Sequence, residues 1–147
     1  MEEELKNLTP NVAQALRNAF IRCNEELPRV VPDPSFSGTT CCTLLLNGTR
    51  IYCANAGDSR GIVVSKGGRA RQLSRDHKPC DKDEGARIVE RGGRIEAFKD
   101  SVTGEDMGPK RVWLLKEEVP GLAMSRSIGD YVAQTVGVIS DPGTYNC

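Results

Sequence analysis

"TTCCTLLLNGTRIYCANAGDSRGIVVSKGGRARQLS", residues 39–74, sets apolar runs on either side of Asn47-Gly48 and again on either side of Gly67-Gly68. An Asn-Gly pair between apolar runs signals a tight hairpin, because its backbone reaches the positive φ such turns require. The spacing predicts an antiparallel meander of about four short strands. Residues 41–46 are apolar at every position except Thr43, so both faces of that strand are expected to be covered. A strand covered on both sides calls for a layered fold.

Upstream, residues 9–27 read as a helix. Thr9 is placed as its N-cap and Pro10 as its first residue, with Val12, Leu16, Ala19, Phe20, Cys23 and Leu27 three or four apart. The proline-rich stretch 28–38 is then a loop. Downstream, Asp81 and Glu84 stand at capping-box spacing before a helix near 82–91, which Gly92-Gly93 would stop. Residues 94–121 hold loop signals around one strand-like piece, "RVWLL", and read as a partly mobile excursion. "LAMSRSIGDYVAQ" (122–134) should contain a short helix and "VGVIS" (136–140) a strand.

The chain has 147 residues, the size of one domain, and balances 20 Lys and Arg against 20 Asp and Glu. That balance, with 5% aromatic residues, argues against nucleic acid as a partner. No apolar run reaches membrane-spanning length, and the acidic start "MEEELKNLTP" is unlike a secretory leader. A cytoplasmic location follows as the expectation, with the nucleus also open. Six cysteines without a C-x-x-C pair, and a single His, do not suit structural zinc.

Gly57-Asp58-Ser59-Arg60 is ambiguous by itself, since Gly-Asp is ordinary turn chemistry and a rim carboxylate can also bind a cation. Its company narrows the reading. "SGTT" (37–40), a hairpin, "ANAGDSR" (54–60), "LSRDHKP" (73–79), Glu84 with "RI" (87–88), "GG" (92–93), "LAMSRSIGD" (122–130) and "GVISDP" (137–142) follow in order. This succession resembles the metal-dependent serine/threonine protein phosphatases of type 2C, from about Ser37 to Pro142.

The resemblance implies an α+β fold, part of a four-layer α-β-β-α sandwich of antiparallel sheets. It also implies two Mg or Mn ions, and a metal-bound hydroxide that attacks phosphoserine or phosphothreonine in a phosphoprotein substrate. By the same resemblance Asp58 falls on a metal ligand, and Thr40 would support it from a neighbouring strand unless it is there for β propensity alone. Asp130 is expected to cap or cross-link its segment against Arg126 or nearby amides. His77 is read as fixing a turn, and Lys66, Arg69, Arg71 and Arg75 as a solvated hairpin edge. Residues 94–120 resemble the family's flap beside the active site.

The sequence also departs from the family pattern. The central metal ligands there lie in Asp-Gly-His-Gly-Gly, Asp-Gly and Asp-Asn motifs, and this sequence contains no Asp-Gly and no Asp-Asn. Residues 1–147 are therefore expected to be one partial domain, inactive alone, belonging to a phosphatase. The alternative is a phosphatase-like pseudoenzyme that acts as a binding protein. An incomplete sandwich should also self-associate.

Overall fold

Both glycine signals of the 39–74 stretch form turns in the structure, a computed structural model that describes residues 2–147, with side chains from residue 12 onward. The chain runs through α1 (Glu2–Glu26), a 3-10 turn (Leu27–Arg29) and β1 (Gly38–Thr39) into β2 (Cys41–Asn47) and β3 (Arg50–Ala56). α1 starts at Glu2 rather than at Thr9, the run "EEELK" being made of strong helix formers. Pro10 is thus an interior residue.

β2 and β3 pair from Cys41↔Ala56 to Asn47↔Arg50. The two turn residues are therefore Gly48 and Thr49, one position later than the Asn-Gly signal suggested. Gly48, at φ +59°, occupies the first of them, where a II′ turn takes glycine.

The expected four-strand meander is two separate hairpins. The chain leaves β3 through Gly57, at φ +106°, and β4 (Ile62–Val64) pairs only with β5 (Ala70–Gln72). The free edge of β3 is taken instead by β10 (Gly143–Asn146), giving the order β10-β3-β2. Long-range pairing of this kind leaves no local turn signal. β2 is consequently an outer strand, and Leu44, Leu45 and Leu46 are 43%, 41% and 72% exposed, which overturns the doubly covered reading.

α1 lies against β3 and β10, burying Phe20 among Ala54, Ala56 and Ile128, with Leu16, Leu27 and Cys41 at the margin. Burial of one such large side chain contributes about 1.5–3 kcal/mol. A second core lies under α2 (Lys82–Glu90), where Ile88 meets Val112, Ala133, Val136 and Val138. This core is walled by the antiparallel sheet β6-β7-β8 (Gly93–Lys99, Asp106–Leu114, Pro120–Leu122). The excursion thus contains three strands where one was foreseen. Trp113 anchors it, edge-on to Phe98 at 5.1 Å and donating from Nε1 to Glu96 O at 3.0 Å.

β9 (Ile128–Gly129) pairs with β1, and the expected short helix follows as α3 (Tyr131–Gln134). Residues 136–140 do not form a strand. Gly137, at φ +97°, bends them, and Val136 and Val138 are apolar because they fill the second core. The α+β class and the antiparallel sheets flanked by helices hold as read from the sequence.

Candidate functional site

Asp58 occupies the turn between β3 and β4, and the backbone before it is held from three sides. His77 N donates to Gly57 O at 3.0 Å, and Gly57 N donates back to His77 Nδ1 at 3.3 Å. Asn55 Nδ2 donates to Gly57 O at 3.1 Å and to Arg75 O at 2.9 Å. Thr40 closes the third side: a Cβ on Gly57 would lie 2.4 Å from its Cγ2, and its hydroxyl is 2.7 Å from Ser59 Oγ.

His77 is 1% exposed. Burial, helped by the charge of Arg126, pushes its pKa down, which favours the neutral ring whose Nδ1 can accept the Gly57 N–H. The loop-fixing role read for His77 is what these contacts provide.

Asp58 itself pairs with Lys78 Nζ, and both side chains stay partly exposed. Arg60 next to it forms a two-pronged contact with Asp76, at 2.7 and 3.0 Å. Arg75 is exposed, as a solvated edge residue would be, but it is also engaged, reaching Asp81 at 2.9 Å and Asp83 at 2.5 Å. That engagement also occupies the Asp81 side chain, which caps no helix amide.

The capping box fails at Glu84 as well. Its side chain turns inward with no exposure at all. Oε2 accepts from Ser125 Oγ at 2.6 Å and from Arg87 Nη2 at 2.7 Å, while Oε1 accepts from Arg126 Nη2 at 2.5 Å. Burial pushes its pKa up, but the hydrogen bonds from Arg87, Arg126 and Ser125 outweigh it and hold the carboxyl at about 2. Arg126 also donates to Asp141 O at 2.8 Å, and Arg87 to Gly137 O at 2.8 Å. Ser125 N in turn donates to His77 O at 3.1 Å. A continuous chain of contacts therefore runs from α2 through Ser125 and His77 to the Asp58 turn. Glu84 lies four residues before the buried Ile88, on the same helix face, so both side chains turn inward.

Because Arg126 is committed to Glu84, it does not cross-link to Asp130. Asp130 is 6% exposed at φ +53°, beside Gly38, where a Cβ would fall 2.1 Å from its Oδ2. Burial raises its pKa. Asp130 N donates to Ser37 O at 2.8 Å, so this residue joins the "SGTT" and "SRSIGD" segments.

Among the described residues no three His, Cys, Asp or Glu side chains converge on a point that could hold a metal ion. Mg and Mn need several oxygen ligands at short range, and Asp58 with its Lys78 partner does not supply them.

Antiparallel sheets with helices against them make this an α+β fold, with a carboxylate-bearing turn at the rim of one sheet. A family model described as protein phosphatase 2C matches residues 2–146. The chain belongs to the protein phosphatase 2C family, a family of serine/threonine protein phosphatases. It is 37% identical over 158 residues to probable protein phosphatase 2C 35 of Arabidopsis thaliana, an alignment covering 97% of this chain and 45% of that protein. To probable protein phosphatase 2C 12 of Oryza sativa it is 41% identical over 135 residues, covering 88% and 33%. The chain thus spans less than half the length of these relatives. A solved serine-threonine phosphatase 2C from Toxoplasma gondii shares the fold at a TM-score of 0.75 and 21% identity, covering all of this chain and 49% of that one.

Proposed function

We propose that this chain is a segment of the catalytic domain of a Mg- or Mn-dependent phosphatase that hydrolyses phosphoserine and phosphothreonine in protein substrates. The observation that carries the reading is the family match from residue 2 to residue 146, with Asp58 on a turn braced by Thr40, Asn55 and His77. The chain's own contribution is positional. Its backbone hydrogen bonds fix the Asp58 carboxylate at the rim, and Lys78 balances its charge.

Without a converging ligand set, residues 1–147 alone should release no phosphate from a phosphopeptide across a Mn titration. Turnover by the isolated chain would overturn the expected inactivity of residues 1–147 while leaving the phosphatase assignment in place.

Self-association follows from the exposed edge. Residues 41–47 carry no charge and no proline, the usual protections of an outer strand, so the chain should dimerise or aggregate through β2. Light scattering should show a mass that rises with concentration, and Leu46→Lys should return it to the monomer. A wild-type chain that stays monomeric at high concentration would contradict the open-edge account.

A further inference from the structure

The β4–β5 hairpin concentrates positive charge in a chain whose net charge is zero. Residues 61–75 contain no Asp or Glu but include Lys66, Arg69, Arg71 and Arg75. The carboxylates around the base of the hairpin are already engaged: Asp58 by Lys78, Asp76 by Arg60, and Asp81 and Asp83 by Arg75. Lys66, Arg69 and Arg71 are exposed and have no ion pair among the described residues. Their field is therefore uncompensated.

The pleat sets Arg69 and Arg71 on one side, with Lys66 in the turn that joins the two strands. Val63 pairs with Arg71, and Ser65 N donates to Arg69 O at 3.0 Å, so Arg69 and Arg71 share a face. Ile62 and Val64 point to the other face. The hairpin springs from the Asp58 turn itself, closed at its base by Leu73 N donating to Gly61 O and Gly61 N donating to Ser74 Oγ, both at 2.8 Å. Four residues of extended strand separate Gly61 from Ser65, about 13 Å.

We propose that Lys66, Arg69 and Arg71 dock an acidic segment of the phosphoprotein substrate, about three to six residues along the peptide from the phosphorylated residue. The proposal rests on the phosphatase reading above. Charge complementarity selects a peptide over other polyanions for two reasons. No aromatic residue lies between 61 and 75 for bases to stack on. Ile62 and Val64 leave the face opposite to that of Arg69 and Arg71, so a flat membrane surface cannot take both sets.

Fluorescence anisotropy with a labelled phosphoserine peptide tests this, comparing an acidic flank with the same peptide carrying Gln in place of its acids. At about 50 mM salt the chain should bind the acidic peptide about tenfold more tightly, and the difference should vanish near 0.5 M. The triple variant Lys66→Glu, Arg69→Glu, Arg71→Glu should lose the preference while its melting temperature stays that of the wild type. Unchanged preference in that variant would overturn the proposal, as would tighter binding of an oligonucleotide or of anionic vesicles. Binding is read without turnover, so a chain that docks the peptide and releases no phosphate keeps this result separate from the fate of the phosphatase reading.

Discussion

Arg126→Met should destabilise the fold by about 3–5 kcal/mol, the usual result of leaving a buried carboxylate without its main partner. Glu84 is fully buried and Arg126 contacts both of its oxygens, while also holding Asp141 O. In a chain of this size the melting temperature should fall by about 10 °C or more. Acid unfolding gives a second readout. An ordinary glutamate protonates near 4.5, and here the folded state keeps the carboxyl at about 2. The unfolded chain therefore binds a proton that the folded chain refuses. The stabilisation is complete above about pH 5 and drains away as pH falls toward 2. Arg126→Met should flatten that part of the stability curve, and Glu84→Leu added to it should recover part of the loss. A variant that melts within a degree or two of wild type would show that the cluster is not the link between α2 and the rim turn.

Gly129→Ala should cost about 2–4 kcal/mol, the sum of a strained backbone and an overpacked contact. Gly129 has φ +84°, and an added Cβ would lie 2.4 Å from Ser37 O and 2.9 Å from Gly38 Cα. Both neighbours are backbone, so neither can rotate away. The residue also pairs with Gly38 and donates its N–H to Asn24 Oδ1 at 2.9 Å, so the substitution would push β9 away from β1 and from α1 together. Urea unfolding of the variant would measure the loss, and a midpoint equal to that of wild type would refute the close-approach account.

Local chemistry was legible in the sequence. Glycines marked the turns at 48 and 67–68 and the stop of α2, a 3.6-residue period marked α1, and the motif order marked the α+β fold. Long-range choices were not. Nothing near β3 announces that its second edge pairs with residues 143–146 rather than with the strand that follows it. The apolar residues at 136–140 read as a strand because a core position and a strand position look alike over five residues. Glu84 was misassigned for a related reason: Asp-x-x-Glu fits a capping box, and only packing shows that Arg87, Ser125 and Arg126 compete for the carboxylate. At the site, Asp58, Thr40 and His77 were picked out from sequence and lie together, whereas the Lys78 pair and the Asn55 brackets depend on the folded turn.

The central claim is that this chain positions the Asp58 carboxylate for metal-dependent phosphoester hydrolysis. The most direct test grafts residues 2–146 in place of the matching span of the Arabidopsis thaliana relative and follows phosphopeptide hydrolysis across a Mn titration, with and without Asp58→Ala. A folded graft should hydrolyse the peptide. Asp58→Ala should require more Mn and lower turnover about tenfold, with an unchanged melting temperature, because an exposed rim carboxylate adds to the site and little to the core. A folded graft whose Mn dependence ignores Asp58→Ala, or whose melting temperature collapses with it, would return Asp58 to a turn residue.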